Sequence, residues 1–149
     1  MFITQKAASR RTPVLSDQVQ LFALLTRDLI RAHEQSRGMG LEKFFELPEY
    51  QKFVLAAYAC GFVCRDYSPM DGGLFEQMKS RPQEHLGASQ FRVLRHWLHM
   101  LLRAERWAGS WSSHIQEALD SGALEVVVDR LERDQTLREP EVIEEDVGR

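Results

Sequence analysis

The sequence predicts an all-α, single-domain bundle of five to seven helices around a central helix at about residues 89–108. Three observations predict it. Apolar residues recur three and four positions apart along most of the chain, the spacing of one helix face. Breakers such as "RGMG", Gly61 and Gly109 cut these stretches into pieces of ordinary helix length. The 149 residues, 44% hydrophobic and 28% charged, suffice for one core. No apolar run approaches the roughly 20 residues of a membrane span.

Taken in order, Ser16 with Asp17 is a helix start. Val19, Phe22, Leu25 and Leu29 carry that helix to about residue 36, where "RGMG" stops it. The short amphipathic piece "LEKFFEL" follows. Pro48 suits the first position of the next helix, "PEYQKFVLAAYAC", which Gly61 ends. "FVCRDY" reads as a brief extended crossing. Ser68 and Pro69 then open a helix by the cap-plus-proline pattern, weakened at Gly72-Gly73 by about 1 kcal/mol per glycine. "RPQEHLGAS" is a breaker, and the central helix begins after it. "SWSSHIQEALD" is a shorter helix closed by Ser121-Gly122. In "ALEVVVDRLERD" three valines admit a strand, but Leu124, Val127, Val128 and Leu131 keep the helical period.

The two ends differ in charge. Residues 1–13 carry Lys6, Arg10 and Arg11 without an acid and read as a basic arm, with no apolar segment of a secretory signal. Residues 14–136 form the helical domain. Residues 137–149 hold Glu139, Glu141, Glu144, Glu145 and Asp146 and read as an acidic, disordered tail. Such tails serve solubility, or compete for a basic face of the same chain. Cys60 and Cys64 are too few for a disulfide framework and read as buried, reduced thiols, which fits a cytoplasmic protein. A net charge of −3 does not point to nucleic acid.

The central helix carries the functional reading. At 100° per residue, Arg92, Arg95, His96, His99, Arg103 and Arg106 fall in one arc of roughly 100°. The rest of "FRVLRHWLHMLLRAERW" is apolar but for Glu105, so Val93, Leu94, Trp97, Leu98, Leu101 and Leu102 should be core. Each large apolar side chain buried contributes about 1.5–3 kcal/mol. A polar arc is needed on any exposed face, and arginine serves there by covering apolar neighbours. This arc has no interleaved acids, however, so it repels itself unless something anionic lies across it. Its histidines would strengthen such a contact below about pH 6.5.

Glu105 points into the apolar arc, where an unpaired carboxylate is costly. The structural reading gives it a charge-assisted bond to an arginine or to a helix N-terminus. The functional reading makes it a perturbed carboxylate in a pocket. His96 and His99 stand at i, i+3, a chelating spacing, but four arginines surround them and no acid or cysteine completes a set. No metal and no cofactor is expected. Trp97 reads as core. Trp107 and Trp111, beside arginines, have two readings, core and binding hot spot. No G-x-S-x-G, Walker A, H-E-x-x-H or G-x-G-x-x-G motif occurs.

"YQKFVLAAYACGFV" and "LRHWLHMLLRAERWAGSWSSHIQEALDSGALEVVVDRL" together resemble a widespread group of small bacterial proteins catalogued only as a domain of unknown function. The resemblance covers about residues 50–133. It rests on Phe53, Gly61 and Phe62, on Arg103, Glu105, Arg106, Trp107 and Gly109, and on Gly122, Leu124 and Arg130-Leu131. "RDYSPMDGG" lacks the aromatic-acid pair common in that group. The resemblance implies a compact helical fold, no assigned activity, and a recurring element made of Arg103, Glu105 and Arg106.

The resulting expectation is a non-enzymatic protein-binding module. Arg92, Arg95, His96, His99, Arg103, Arg106, Trp107 and Trp111 would meet an acidic partner surface. A sharper version is a mobile-element-encoded inhibitor of a host defence complex. The alternatives are nucleic-acid binding through the same face and an enzyme using Glu105 as general acid or base. No membrane contact is expected, and a homo-oligomer is compatible with the reading.

Overall fold

Eight helices and no strand make up residues 16–63 and 70–133, the part of the chain that this computed structural model describes. The expected basic arm at 1–13 and acidic tail at 137–149 lie outside these residues. So do Cys64, most of the extended crossing, and the Ser68-Pro69 pair. The helices are α1 (Ser16–Gln35), α2 (Leu41–Glu46), α3 (Pro48–Ala59), α4 (Gly72–Ser80), α5 (Pro82–His85), α6 (Phe91–Ala108), α7 (His114–Ser121) and α8 (Ala123–Arg133). The helix beyond the expected five to seven is α5, a single turn inside the stretch read as a breaker. Pro82 begins it, and the Leu86 amide closes it on the Pro82 carbonyl at 2.7 Å.

Local chemistry sets most of the boundaries. Pro48 opens α3, and Gly109, at φ +70°, ends α6. Ser113 caps α7 by accepting from the Gln116 amide at 3.0 Å, and Gly122 closes it in the left-handed region. One start differs from expectation, and that of α6 falls within two residues of it. The cap of α4 is Asp71, whose side chain accepts from Leu74 N–H at 3.0 Å. Gly72 and Gly73 are thus the first two helical residues, where a glycine costs less than mid-helix. Ser89 does not cap α6, which begins at Phe91. Its hydroxyl donates back to the His85 carbonyl at 2.6 Å.

One apolar core joins the helices. α1 packs on both α3 and α8, with the Phe22 ring 5.2 Å from Phe53 and 4.4 Å from Phe62. α6 runs through the middle, burying Leu94, Trp97, Leu98, Leu101 and Leu102. Trp97 meets Phe75 of α4 at 5.9 Å, and Phe91 meets Phe62 at 6.4 Å. Cys60 is buried in this core, and burial pushes its thiol pKa up. Among the described residues no helix is long and apolar enough to cross a membrane.

Polar clamps, some of them buried, supplement the core. Arg27 ties α1 to Asp129 and Glu132 of α8, and His33 Nε2 lies 2.8 Å from Asp120 Oδ1 of α7. Lys79, almost fully buried, bonds Glu117 Oε1 at 2.6 Å and lies 3.0 Å from Nδ1 of His114. Arg130 of α8 is the most consequential clamp. Its guanidinium donates to the carbonyls of Leu86 at 3.0 Å, Gly87 at 2.8 Å and Ser89 at 2.7 Å. It thereby holds the turn that aims α6 into the bundle. Gly87 is required in that turn, because a Cβ there would meet the Gln83 carbonyl oxygen at 2.5 Å. An ammonium group has no planar fork to span three carbonyls. Arg130→Lys therefore lowers stability by about 2 kcal/mol, read as a shifted urea midpoint with an unchanged slope.

Candidate functional site

The cationic arc of α6 is only partly a surface. Arg92 and Arg106 are exposed, and Arg103 and His96 are half-buried. Arg95 is 0% exposed, and it donates from Nη2 to the Gly61 carbonyl at 2.8 Å. That carbonyl lies just past the C-terminus of α3, at the negative end of the helix dipole. Arg95 therefore serves as an internal clamp between α6 and the α3 turn. His99 is buried as well. Burial first, then the positive charges of Arg103, His96 and Arg95, push its pKa down to about 4. The expectation that Arg95 and His99 face a partner is thus overturned. An angular position on a helix says which residues share a side, not which part of that side the chain folds over. The expected pH-dependent strengthening fails at His99 for the same reason: it is neutral through the range in which an exposed imidazole charges.

The two disputed tryptophans fall on the surface. Trp107 is 77% and Trp111 90% exposed, so the core reading fails for both. Trp97 is fully buried, as expected. Trp107 follows Arg106 in the last turn of α6, and Trp111 stands in the short segment between Gly109 and the Ser113 cap. Gly109 ends α6 before Trp111, and α7 starts three residues after it, so both indoles stand at the junction of the two helices and outside the core. Among the described residues Arg103 and Arg106 make no ion pair. What solvent reaches of the arc is therefore Arg92 and Arg106, with His96 and Arg103 half-buried, and two exposed indoles follow Arg106 in the chain.

Glu105 is buried and satisfied by three donors. Its Oε2 accepts from Tyr50 Oη at 2.7 Å and from Ser113 Oγ at 2.6 Å, and its Oε1 accepts from the Ile115 amide at 3.1 Å. The amides of Ile115 and Gln116 belong to the first turn of α7, so the carboxylate sits at the positive end of that helix. This is the helix N-terminus partner that burial required. It also makes Glu105 the joint among α3, α6 and α7. Burial, and then the Glu105 carboxylate, push the Tyr50 pKa up, so the phenol keeps its proton and remains a donor.

Beside this joint lies a feature that the sequence reading did not pick out. A groove of about 360 Å³ runs between α3 and α6. Tyr50, Val54, Leu55 and Tyr58 line its α3 side, and Leu102 and Arg106 its α6 side, with Glu105 below. Leu55 is 64% exposed, with Tyr58 also at the surface. The signal was present in "QKFVLAAYAC". Its apolar residues occupy nearly the whole circumference of α3, more than one buried face can use. Among the described residues no group of three or more histidines, cysteines or acids is placed to hold a metal ion, and the His96 and His99 rings stand 6.4 Å apart.

Comparison with protein-family models, with curated proteins and with solved structures finds no match to this chain. The functional reading therefore rests on this geometry alone.

Proposed function

We propose that the protein is a non-enzymatic binding module whose C-terminal half of α6, with the segment that follows, engages an acidic surface of another protein. One observation carries the reading: two largely exposed tryptophans stand near Arg103 and Arg106 in the chain, and these arginines have no carboxylate partner among the described residues. A free indole on a surface is unusual, and tryptophan with arginine is the pairing on which interface energy concentrates. Glu105 does not enter as a catalyst. Its three hydrogen bonds hold it as an acceptor at a helix joint, which gives it a structural duty. Withdrawal of Arg95 and His99 leaves too short a cationic track to follow a phosphate backbone, and this favours protein over nucleic acid as the partner.

The test is affinity capture from an extract of the source cell, using the full chain and its Arg103→Glu/Trp107→Ala variant. A protein retained by the unaltered chain and reduced at least tenfold with the variant is the expected result. Equal capture by both, or capture abolished by nuclease, would sink the proposal.

A further inference from the structure

We infer that the groove between α3 and α6 receives a single amphipathic helix of the partner protein, apolar where it inserts and acidic along the edge that meets Arg106. This deepens the binding reading above and rests on it. The shape comes first. Gln51, Leu55 and Tyr58 recur at i, i+4 and i+7 and so share one side of α3, which is 12 residues long. At 1.5 Å per residue the lining residues from Tyr50 to Tyr58 extend about 12 Å, a little over two helical turns. A trough of this length matches a helix presenting its own i, i+4 and i+7 residues. A volume of about 360 Å³ is at the small end of ligand pockets and takes the side chains of one element, not the face of a domain.

Charge then selects the occupant. The floor carboxylate is already engaged by Tyr50, Ser113 and Ile115, so Glu105 offers little to an incoming cation. Arg106 is exposed on the rim, makes no ion pair among the described residues, and continues into Arg103. Among the described residues no other acid lines the groove. A basic helix would lie against Arg106 with nothing to answer its charge. An acidic one gains a charge-assisted bond at the rim while its apolar residues cover Leu55, Val54 and Tyr58. Leu55 is the anchor of this arrangement, since covering it removes a leucine that the fold leaves in water.

The experiment uses the full chain as bait for a display library of short helical peptides, with both acidic and basic sequences represented. Enriched peptides are expected to carry apolar residues at i, i+3 or i+4 and i+7 and a net negative charge. Their affinity, measured by fluorescence anisotropy, should fall at least tenfold with Leu55→Glu. With Arg106→Glu the library should enrich basic peptides instead. Leu55 is exposed, so its substitution leaves the fold intact, which circular dichroism checks. Enrichment without charge preference, or binding indifferent to Leu55→Glu, overturns the inference. So does a dimer that Leu55→Glu converts to monomer, which would place a second copy in the groove. So does a change in the Tyr58 resonances of the free chain on Glu144→Lys/Glu145→Lys, which would place the chain's own acidic segment there. Failure here with the Arg103→Glu/Trp107→Ala result intact removes the groove and keeps the tryptophan surface.

Discussion

Glu105→Ala lowers the unfolding free energy by about 3 kcal/mol. The change removes one acceptor and strands three donors at once: the Tyr50 hydroxyl, the Ser113 hydroxyl and the Ile115 amide. Each buried donor left without a partner costs about 1–3 kcal/mol, and water reaching Tyr50 through the groove recovers part of the sum. The loss is distributed in a testable way. Glu105→Gln keeps one carbonyl oxygen but turns an amide group toward a donor, and costs about 1–2 kcal/mol. Tyr50→Phe deletes a single bond and costs about 1 kcal/mol. Urea denaturation of the three variants should therefore rank Ala above Gln above Phe. A Glu105→Gln protein as stable as the unaltered chain would mean that the carboxylate is not the joint described here.

The second large effect depends on pH. An unfolded histidine titrates near pH 6.5, whereas His99 in the fold is pushed down to about 4. Between those values the unfolded chain binds a proton that the folded chain refuses. Stability contributed by His99 is therefore complete above about pH 6.5, falls as pH drops through that window, and levels off below about 4. The full span is about 3 kcal/mol. A His99→Gln variant has no imidazole to protonate. The difference in unfolding free energy between the two proteins, plotted against pH, should bend through this window. A difference that stays flat from pH 7 to pH 4 would show that His99 ionises in the fold as it does in water.

These two residues mark how far the sequence could be read. Glu105 was legible because it breaks a pattern. A charge inside an apolar arc must find a partner, and a helix N-terminus was among the partners available. Which helix supplied it could not be read, since Ser113 and Ile115 are eight and ten positions away and Tyr50 is fifty-five. His99 and Arg95 were misassigned because they fit a pattern. Periodicity placed them with Arg92 and Arg106, and nothing local distinguishes an arginine that reaches solvent from one that reaches the Gly61 carbonyl thirty-four residues away. Trp107 and Trp111 were ambiguous for a related reason. Indoles are apolar enough for a core, and only the break at Gly109 and the start of α7 keep these two outside.

Helix content, the start at Pro48, the stops at Gly109 and Gly122, and the apolar sides of α1, α6 and α8 follow from neighbours within a turn or two, so spacing and residue type suffice for them. The clamps made by Arg95, Lys79 and Arg130, the joint at Glu105 and the groove beside it depend on which helix lies against which. Those contacts arise from the packing of one shared core, where volume and connectivity choose among many pairings that satisfy the same local pattern. The chain thus announces that α6 has two unlike sides, while the surrounding helices decide how much of its charged side faces water.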